Sequence, residues 1–274
     1  MKRLRVPDVQ KKKQQGEKVT MLTAYDFLLA RLLDEAGVDI LLVGDSVGMV
    51  LLGFETTLPV TLEMMIHHSQ AVSRGAQRAL VVADMPFLSY QVSPSDAVQN
   101  AGRLIQEGGV AAVKIEGGRV MADVTHRLVE VGIPVMGHLG LLPQSVHKMG
   151  GFRVQARDKD TAEYLVEDAE ILEEAGAFSI VLESIPAEVA RQVTSRVSIP
   201  TIGIGAGPHC DGQVLVSHDA FGLSHGKAPS FVKQYAQLGT DLKKAVEAYI
   251  SEVRDGDFPS QEYCFNGGAE AKSE

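Results

Sequence analysis

Glu35-Ala36-Gly37-Val38-Asp39-Ile40-Leu41-Leu42-Val43-Gly44-Asp45 reads as the end of a helix, a turn, a buried strand and an acid where that strand stops. The order recurs. Glu107-Gly108-Gly109 leads through an apolar run to Glu116, and Glu174-Ala175-Gly176 leads through another to Glu183. In each repeat the last glycine suits a helix C-terminus, because without a Cβ it enters the left-handed conformation that turns the chain back as a strand. Asp84, after Ala79-Leu80-Val81-Val82-Ala83, holds the same position with a less regular lead-in. Acids are therefore expected at the C-terminal ends of four strands.

Outward from these repeats, short apolar runs alternate with amphipathic stretches along most of the chain, the pattern of βα units and a parallel sheet. Strands are expected at 19–24, 40–44, 79–83, 111–115, 133–137, 179–182 and 200–204, with a weaker one near 214–223. Helices are expected at 27–36, 62–74, 94–107, 121–131, 162–175 and 186–194. Ser93 before Pro94, with Asp96 three residues on, marks a firm helix start: a capping hydroxyl, a proline at the first position and a carboxylate near the positive end. Eight strands separated by helices fit an α/β fold of the (β/α)8 TIM-barrel type. Two further helical stretches, 231–238 and 240–253, extend it at the C-terminus. A single barrel domain is expected over 1–265, with 266–274 a tail disordered by composition.

The 274 residues are a usual barrel length, and 45% hydrophobic residues with 27 glycines supply both a large core and many turns. Asp plus Glu outnumber Lys plus Arg by 35 to 26, a formal charge of -9 that repels a phosphate backbone and argues against nucleic acid. The early basic residues Lys2, Arg3, Arg5, Lys11, Lys12, Lys13 and Lys18 are taken as a solvated helix face rather than an anion patch. Cys210 and Cys264 have no close spacing, so neither a disulfide framework nor a thiolate metal site is suggested. No apolar stretch reaches the roughly 20 residues that span a bilayer, and the first residues lack the apolar core of a secretion signal. A cytoplasmic location is expected.

In barrels the C-terminal strand ends form the active-site face, so the four acids converge there. Convergent carboxylates repel, and an all-oxygen set favours a hard cation such as Mg2+ over zinc. Asp45, Asp84 and Glu116, from adjacent strands, are assigned to the metal. Lys114, two residues before Glu116, shares its face of the strand and points towards the barrel axis. Three roles stay open for it: neutralising a substrate carboxylate, a Schiff-base nucleophile, or balancing Glu116. Glu183, after Ile180-Val181-Leu182, has an apolar setting that suits a general base, the alternative being a buried acid paired with an arginine. His138 either hydrogen-bonds substrate or a ligand carboxylate, or is structural. His67 and His68 are neighbours on a helix, about 100° apart, and are discounted as a metal pair. Gly203-Ile204-Gly205-Ala206-Gly207 fits either a phosphate-binding loop or a close-packed turn.

The stretches Val43-Gly44-Asp45-Ser46, Val82-Ala83-Asp84-Met85-Pro86, Val113-Lys114-Ile115-Glu116-Gly117-Gly118 and Gly137-His138-Leu139-Gly140 resemble the ketopantoate hydroxymethyltransferase family. The resemblance continues through Leu141-Leu142-Pro143-Gln144-Ser145, Leu182-Glu183 and Thr201-Ile202-Gly203-Ile204-Gly205-Ala206-Gly207, and covers roughly residues 1 to 250. It implies transfer of a hydroxymethyl unit from 5,10-methylenetetrahydrofolate to 3-methyl-2-oxobutanoate through a Mg-stabilised enolate, a step towards pantothenate. It also implies that Asp45 and Asp84 hold Mg2+, with Glu116 completing the sphere directly or through water. Ser46 and Lys114 would help bind the 2-oxo acid, alongside the metal and Asp45 and Asp84, and Glu183 would remove the C3 proton. Homo-oligomers, commonly decamers, are implied as well, with Phe258, Tyr263 and Phe265 available for packing. Rival readings are a lyase of the isocitrate lyase and phosphoenolpyruvate mutase type, whose Lys-Lys-Cys-Gly-His loop does not occur here, a Schiff-base aldolase using Lys114, and a barrel that only binds a ligand.

Overall fold

The computed structural model describes residues 3–224, 226 and 228–265. The expected tail at 266–274 and Lys2 lie outside them. Eight parallel strands close a barrel in chain order: β1 (Val19–Thr23), β2 (Ile40–Val43), β3 (Leu80–Asp84), β4 (Ala112–Glu116), β5 (Val135–Gly140), β6 (Ser179–Glu183), β7 (Thr201–Ile204) and β8 (Gly212–Leu215). Helices α1 (Val6–Gln15), α2 (Phe27–Glu35), α3 (Val47–Val50), α4 (Leu62–Gly75), α5 (Pro94–Gln106) and α6 (Ala122–Glu130) accompany the first half. The second half carries α7 (Val146–Met149), α8 (Lys159–Glu174), α9 (Ala187–Arg196), α10 (Ser217–Ala220) and α11 (Leu238–Asp255). The fold is the expected (β/α)8 barrel. Gly37, Gly109 and Gly176, the glycines of the three repeats, take φ of 95°, 72° and 98°, so the left-handed exit inferred from sequence is the one adopted.

Strand alternation divides the core into two layers. Ile40, Leu42, Leu80, Val82, Ala112, Met136, Val181 and Ile202 fill the barrel interior. Their neighbours Leu41, Val43, Val81, Val113 and Val135 face the surrounding helices, as do Ile180 and Leu182. This parity carries Asp84, Lys114, Glu116, His138 and Glu183 inward at the upper end of the barrel. Register then sets which of them are neighbours: Asp84 pairs with Lys114, Glu116 with His138, and Gly140 with Glu183. Only glycine fits at 140, where φ is 93° and a Cβ would lie 2.2 Å from the Glu183 carbonyl oxygen.

Two expectations are corrected. Of the early basic residues, Arg3, Arg5, Lys11 and Lys18 are exposed, but Lys12 and Lys13 do not belong to a solvated face. Helix α1 lies against the bottom of the barrel, with Val9 packed into the interior cluster. Lys12 Nζ bonds Asp39 at 3.1 Å, Lys13 Nζ bonds the carbonyls of Thr194 and Ile199 and lies 3.0 Å from Asp211, and Lys18 Nζ bonds the Cys210 carbonyl. Nor is 231–238 a helix. Its amides turn outward to other carbonyls, Tyr235 N to Ala220 and Leu238 N to Phe221, and leave no helical ladder to form. One long C-terminal helix, α11, remains. Among the described residues no helix is long and apolar enough to cross a membrane.

Candidate active site

Asp45 follows β2 and its backbone N–H donates to Asp84 Oδ2 at 3.0 Å, which draws the first two acids together. Lys114 Nζ lies 2.8 Å from Asp84 Oδ1 and 3.3 Å from His138 Nδ1. His138 in turn stands 3.6 Å from Glu116 Oε1 through Nδ1 and 3.2 Å from Glu183 Oε2 through Nε2. The sequence-derived residues Asp45, Asp84, Lys114, Glu116, His138 and Glu183 thus form one linked set across β2 to β6. Ser46, beside Asp45, bonds the Tyr25 hydroxyl at 2.8 Å.

The charges in this set do not balance. Burial pushes the Asp45 carboxyl well above its ordinary range, and repulsion from Asp84 and Glu116 adds to it, against weaker relief from Lys114 and a Gln144 hydrogen bond. Burial opposes the charge on Lys114, but Asp84, Glu116 and Asp45 together outweigh it and hold the ammonium protonated. A held ammonium is no nucleophile, so the geometry disfavours the Schiff-base role, and its partner is Asp84 rather than Glu116. Burial and Lys114 also oppose a charged His138, yet the carboxylates of Glu116 and Glu183 beside its ring raise its pKa overall. Burial likewise keeps the Tyr25 and Tyr90 hydroxyls protonated.

Two buried atoms of the set, Asp84 Oδ1 and His138 Nε2, have charged groups nearby but no aligned hydrogen-bond partner. Unsatisfied buried polar atoms are costly. Among the described residues no three His, Cys, Asp or Glu side chains are gathered into a ready-made metal cage. Mg2+ does not require one, since it is held by one or two carboxylates and otherwise keeps water or substrate oxygens. Mutually repelling oxygen donors, one of them lacking an aligned donor, fit such an ion.

His67 and His68 lie on α4 with rings edge to face at 5.3 Å, and His68 Nδ1 meets the Tyr25 carbonyl. The glycine run after β7 is close-packed: a Cβ at Gly205 would meet the Phe231 ring at 2.8 Å. Three site neighbours had no role assigned from the sequence: Tyr25, Tyr90 and Gln144. Gln144 sits in a quoted motif, but an amide gives no charge or spacing signal. Its side chain bonds Asp45 Oδ2 at 2.9 Å.

Comparison with known proteins bears on what this set does. The family model described as ketopantoate hydroxymethyltransferase matches residues 3–261. A Syntrophus aciditrophicus protein named 3-methyl-2-oxobutanoate hydroxymethyltransferase is 58% identical over 253 residues, 92% of this chain and 93% of the relative. One of the same name from Thermoanaerobacter sp. is 54% identical over 257 residues, 94% of each chain. Among solved structures, 2,3-dimethylmalate lyase matches with TM-score 0.61 at 19% identity, over 94% of this chain and 91% of that one. Phosphonopyruvate hydrolase matches with TM-score 0.63 at 12% identity, over 97% and 92%. At those identities the structural likeness speaks for the barrel alone.

Proposed function

The chain belongs to the ketopantoate hydroxymethyltransferase family, and from that premise we propose that it transfers a hydroxymethyl unit from 5,10-methylenetetrahydrofolate to 3-methyl-2-oxobutanoate, giving 2-dehydropantoate for pantothenate biosynthesis. The observation that carries the mechanism is a lone carboxylate, Glu183, held 3.2 Å from His138 on the side of the barrel away from Asp45 and Asp84. Asp45 and Asp84 would hold Mg2+, with Glu116 completing the set directly or through water. When bound, the ion supplies the positive charge that an enolate oxygen needs. The ammonium of Lys114 and the hydroxyl of Ser46 bind the oxo acid. Glu183 takes the C3 proton, with His138 Nε2 3.2 Å from its Oε2. The C–H electron pair passes to the C2 oxygen as an enolate. C3 then bonds the methylene carbon of the donor as one of its two C–N bonds breaks, and a water oxygen displaces the other to leave the hydroxymethyl group. The proton held by Glu183 and one from the water go to the two nitrogens released as tetrahydrofolate.

We also place the protein in the cytoplasm as a homo-oligomer, a decamer by family resemblance. Support for association comes from α11, in which no residue is buried and Leu242, Val246 and Tyr249 are exposed. Tyr249 packs on Phe258 and Phe258 on Tyr263 at 5.9 and 5.6 Å between centroids.

The reaction is tested by NMR on purified protein with Mg2+, 5,10-methylenetetrahydrofolate and 3-methyl-2-oxobutanoate. A new hydroxymethyl signal that requires all three is expected. Faster turnover of a neighbouring 2-oxo acid would move the substrate assignment, because a pocket discriminates one methylene only modestly. No product from any branched oxo acid would sink the proposal.

A further inference from the structure

Beyond strand β5 the chain doubles back over the barrel mouth. Leu141 N bonds the Glu183 carbonyl at 2.8 Å, and three residues later Gln144 N bonds Glu116 Oε2 at 3.0 Å. The Gln144 side chain is buried, at 5% exposure, and uses its full hydrogen-bonding capacity. Its Nε2 donates to Asp45 Oδ2 and to the Met85 carbonyl, both at 2.9 Å. Its Oε1 accepts from the Tyr90 hydroxyl at 2.8 Å and from Gln91 Nε2 at 3.1 Å. A primary amide offers two donors and two acceptor sites on one planar group, and no other side chain of this size would satisfy all four partners. The Tyr90 hydroxyl is itself pinned by the Glu116 backbone N–H at 3.0 Å.

We propose that Gln144 is a positioning residue that fixes one oxygen of Asp45 and one of Glu116, and so decides which oxygens those acids present to the metal and the oxo acid. The contacts divide in the required way. The Gln144 side chain takes Oδ2 of Asp45 and its backbone N–H takes Oε2 of Glu116, whereas Glu116 turns Oε1 towards His138. It ties the ends of β2, β3 and β4 to the segment after β5, the same strand ends that carry the acids. Partners of this kind fix ligand orientation, and losing one typically costs about 10- to 100-fold in metal affinity or activity. The inference rests on the Mg2+ reading above, and the experiment separates the two.

Mn2+ binding to the full chain is measured without substrate by electron paramagnetic resonance of the free ion. It is compared for wild type, Gln144→Met, Tyr90→Phe and Asp45→Asn, with circular dichroism to check folding and kcat and KM from the NMR assay. Gln144→Met keeps the volume and removes the side-chain amide, leaving the backbone N–H on Glu116. We expect it to fold, to bind Mn2+ roughly 10- to 100-fold more weakly, and to lose kcat more than it raises KM for the oxo acid. Tyr90→Phe frees one anchor of the amide and should weaken Mn2+ a few-fold in the same direction. A folded Gln144→Met that binds Mn2+ within about twofold of wild type would overturn the inference. If Gln144→Met fails to fold, unchanged Mn2+ affinity in Tyr90→Phe overturns it. Equal binding by wild type and Asp45→Asn is a distinct result, which removes the metal reading and this inference with it.

Discussion

The two ends of the barrel use the same side chains to opposite effect. At the bottom, Asp39 accepts from Thr20 N, Thr20 Oγ1 and Lys12 Nζ, with Arg78 at 3.6 Å, and Asp211 accepts from Thr201 N and Oγ1 beside Lys13. Three bases there attend two acids, and each carboxylate is surrounded by donors. At the mouth one ammonium, Lys114, faces three buried acids, and Asp84 Oδ1 and His138 Nε2 lack aligned partners. A satisfied carboxylate cluster holds the fold together. An unsatisfied one stores repulsion that a cation and a substrate would relieve, and barrels place chemistry at that end.

If this contrast is correct, substitutions at the mouth and bottom separate cleanly. The largest effect belongs to Glu183→Gln, which should lower kcat about 1000-fold, roughly 4 kcal/mol, with an unchanged melting curve. Next comes the bottom: Asp39→Ala leaves Lys12 and Thr20 without their acceptor and should lose roughly 2–3 kcal/mol of stability in denaturant titration, with kcat unaltered. Adding Mg2+ to about ten times its Kd should stabilise wild type by ~1.4 kcal/mol and leave Asp45→Asn unmoved. The smallest effect has the most informative sign. Asp45→Asn replaces a carboxyl whose ionised form is opposed by burial and by Asp84 and Glu116, so the metal-free protein should gain about 1 kcal/mol, a rise of roughly 2–4 °C, although activity is lost. Destabilisation by Asp45→Asn would mean that the mouth is as well satisfied as the bottom.

The fold was legible because each repeat combined three local signals that agree: a helix exit glycine, a buried apolar run and a terminal acid. Strand parity then placed Lys114 and Glu116 on one face without any knowledge of the tertiary structure. What sequence could not supply were contacts between distant segments. Lys12 and Lys13 look like surface residues until Asp39 and Asp211 are brought under them, and their helix was misjudged for that reason. The stretch 231–238 has the composition of a helix, but carbonyls at 220 and 221 compete for its amides. Gln144 is silent in sequence because its importance lies in four partners on other segments rather than in any periodicity.

The most direct test follows the C3 proton of 3-methyl-2-oxobutanoate by NMR in D2O. We expect exchange with wild type and Mg2+ that disappears with excess EDTA and, separately, in Glu183→Gln. Exchange that persists in EDTA or in Glu183→Gln would contradict proton removal by Glu183 at a Mg2+-assisted site.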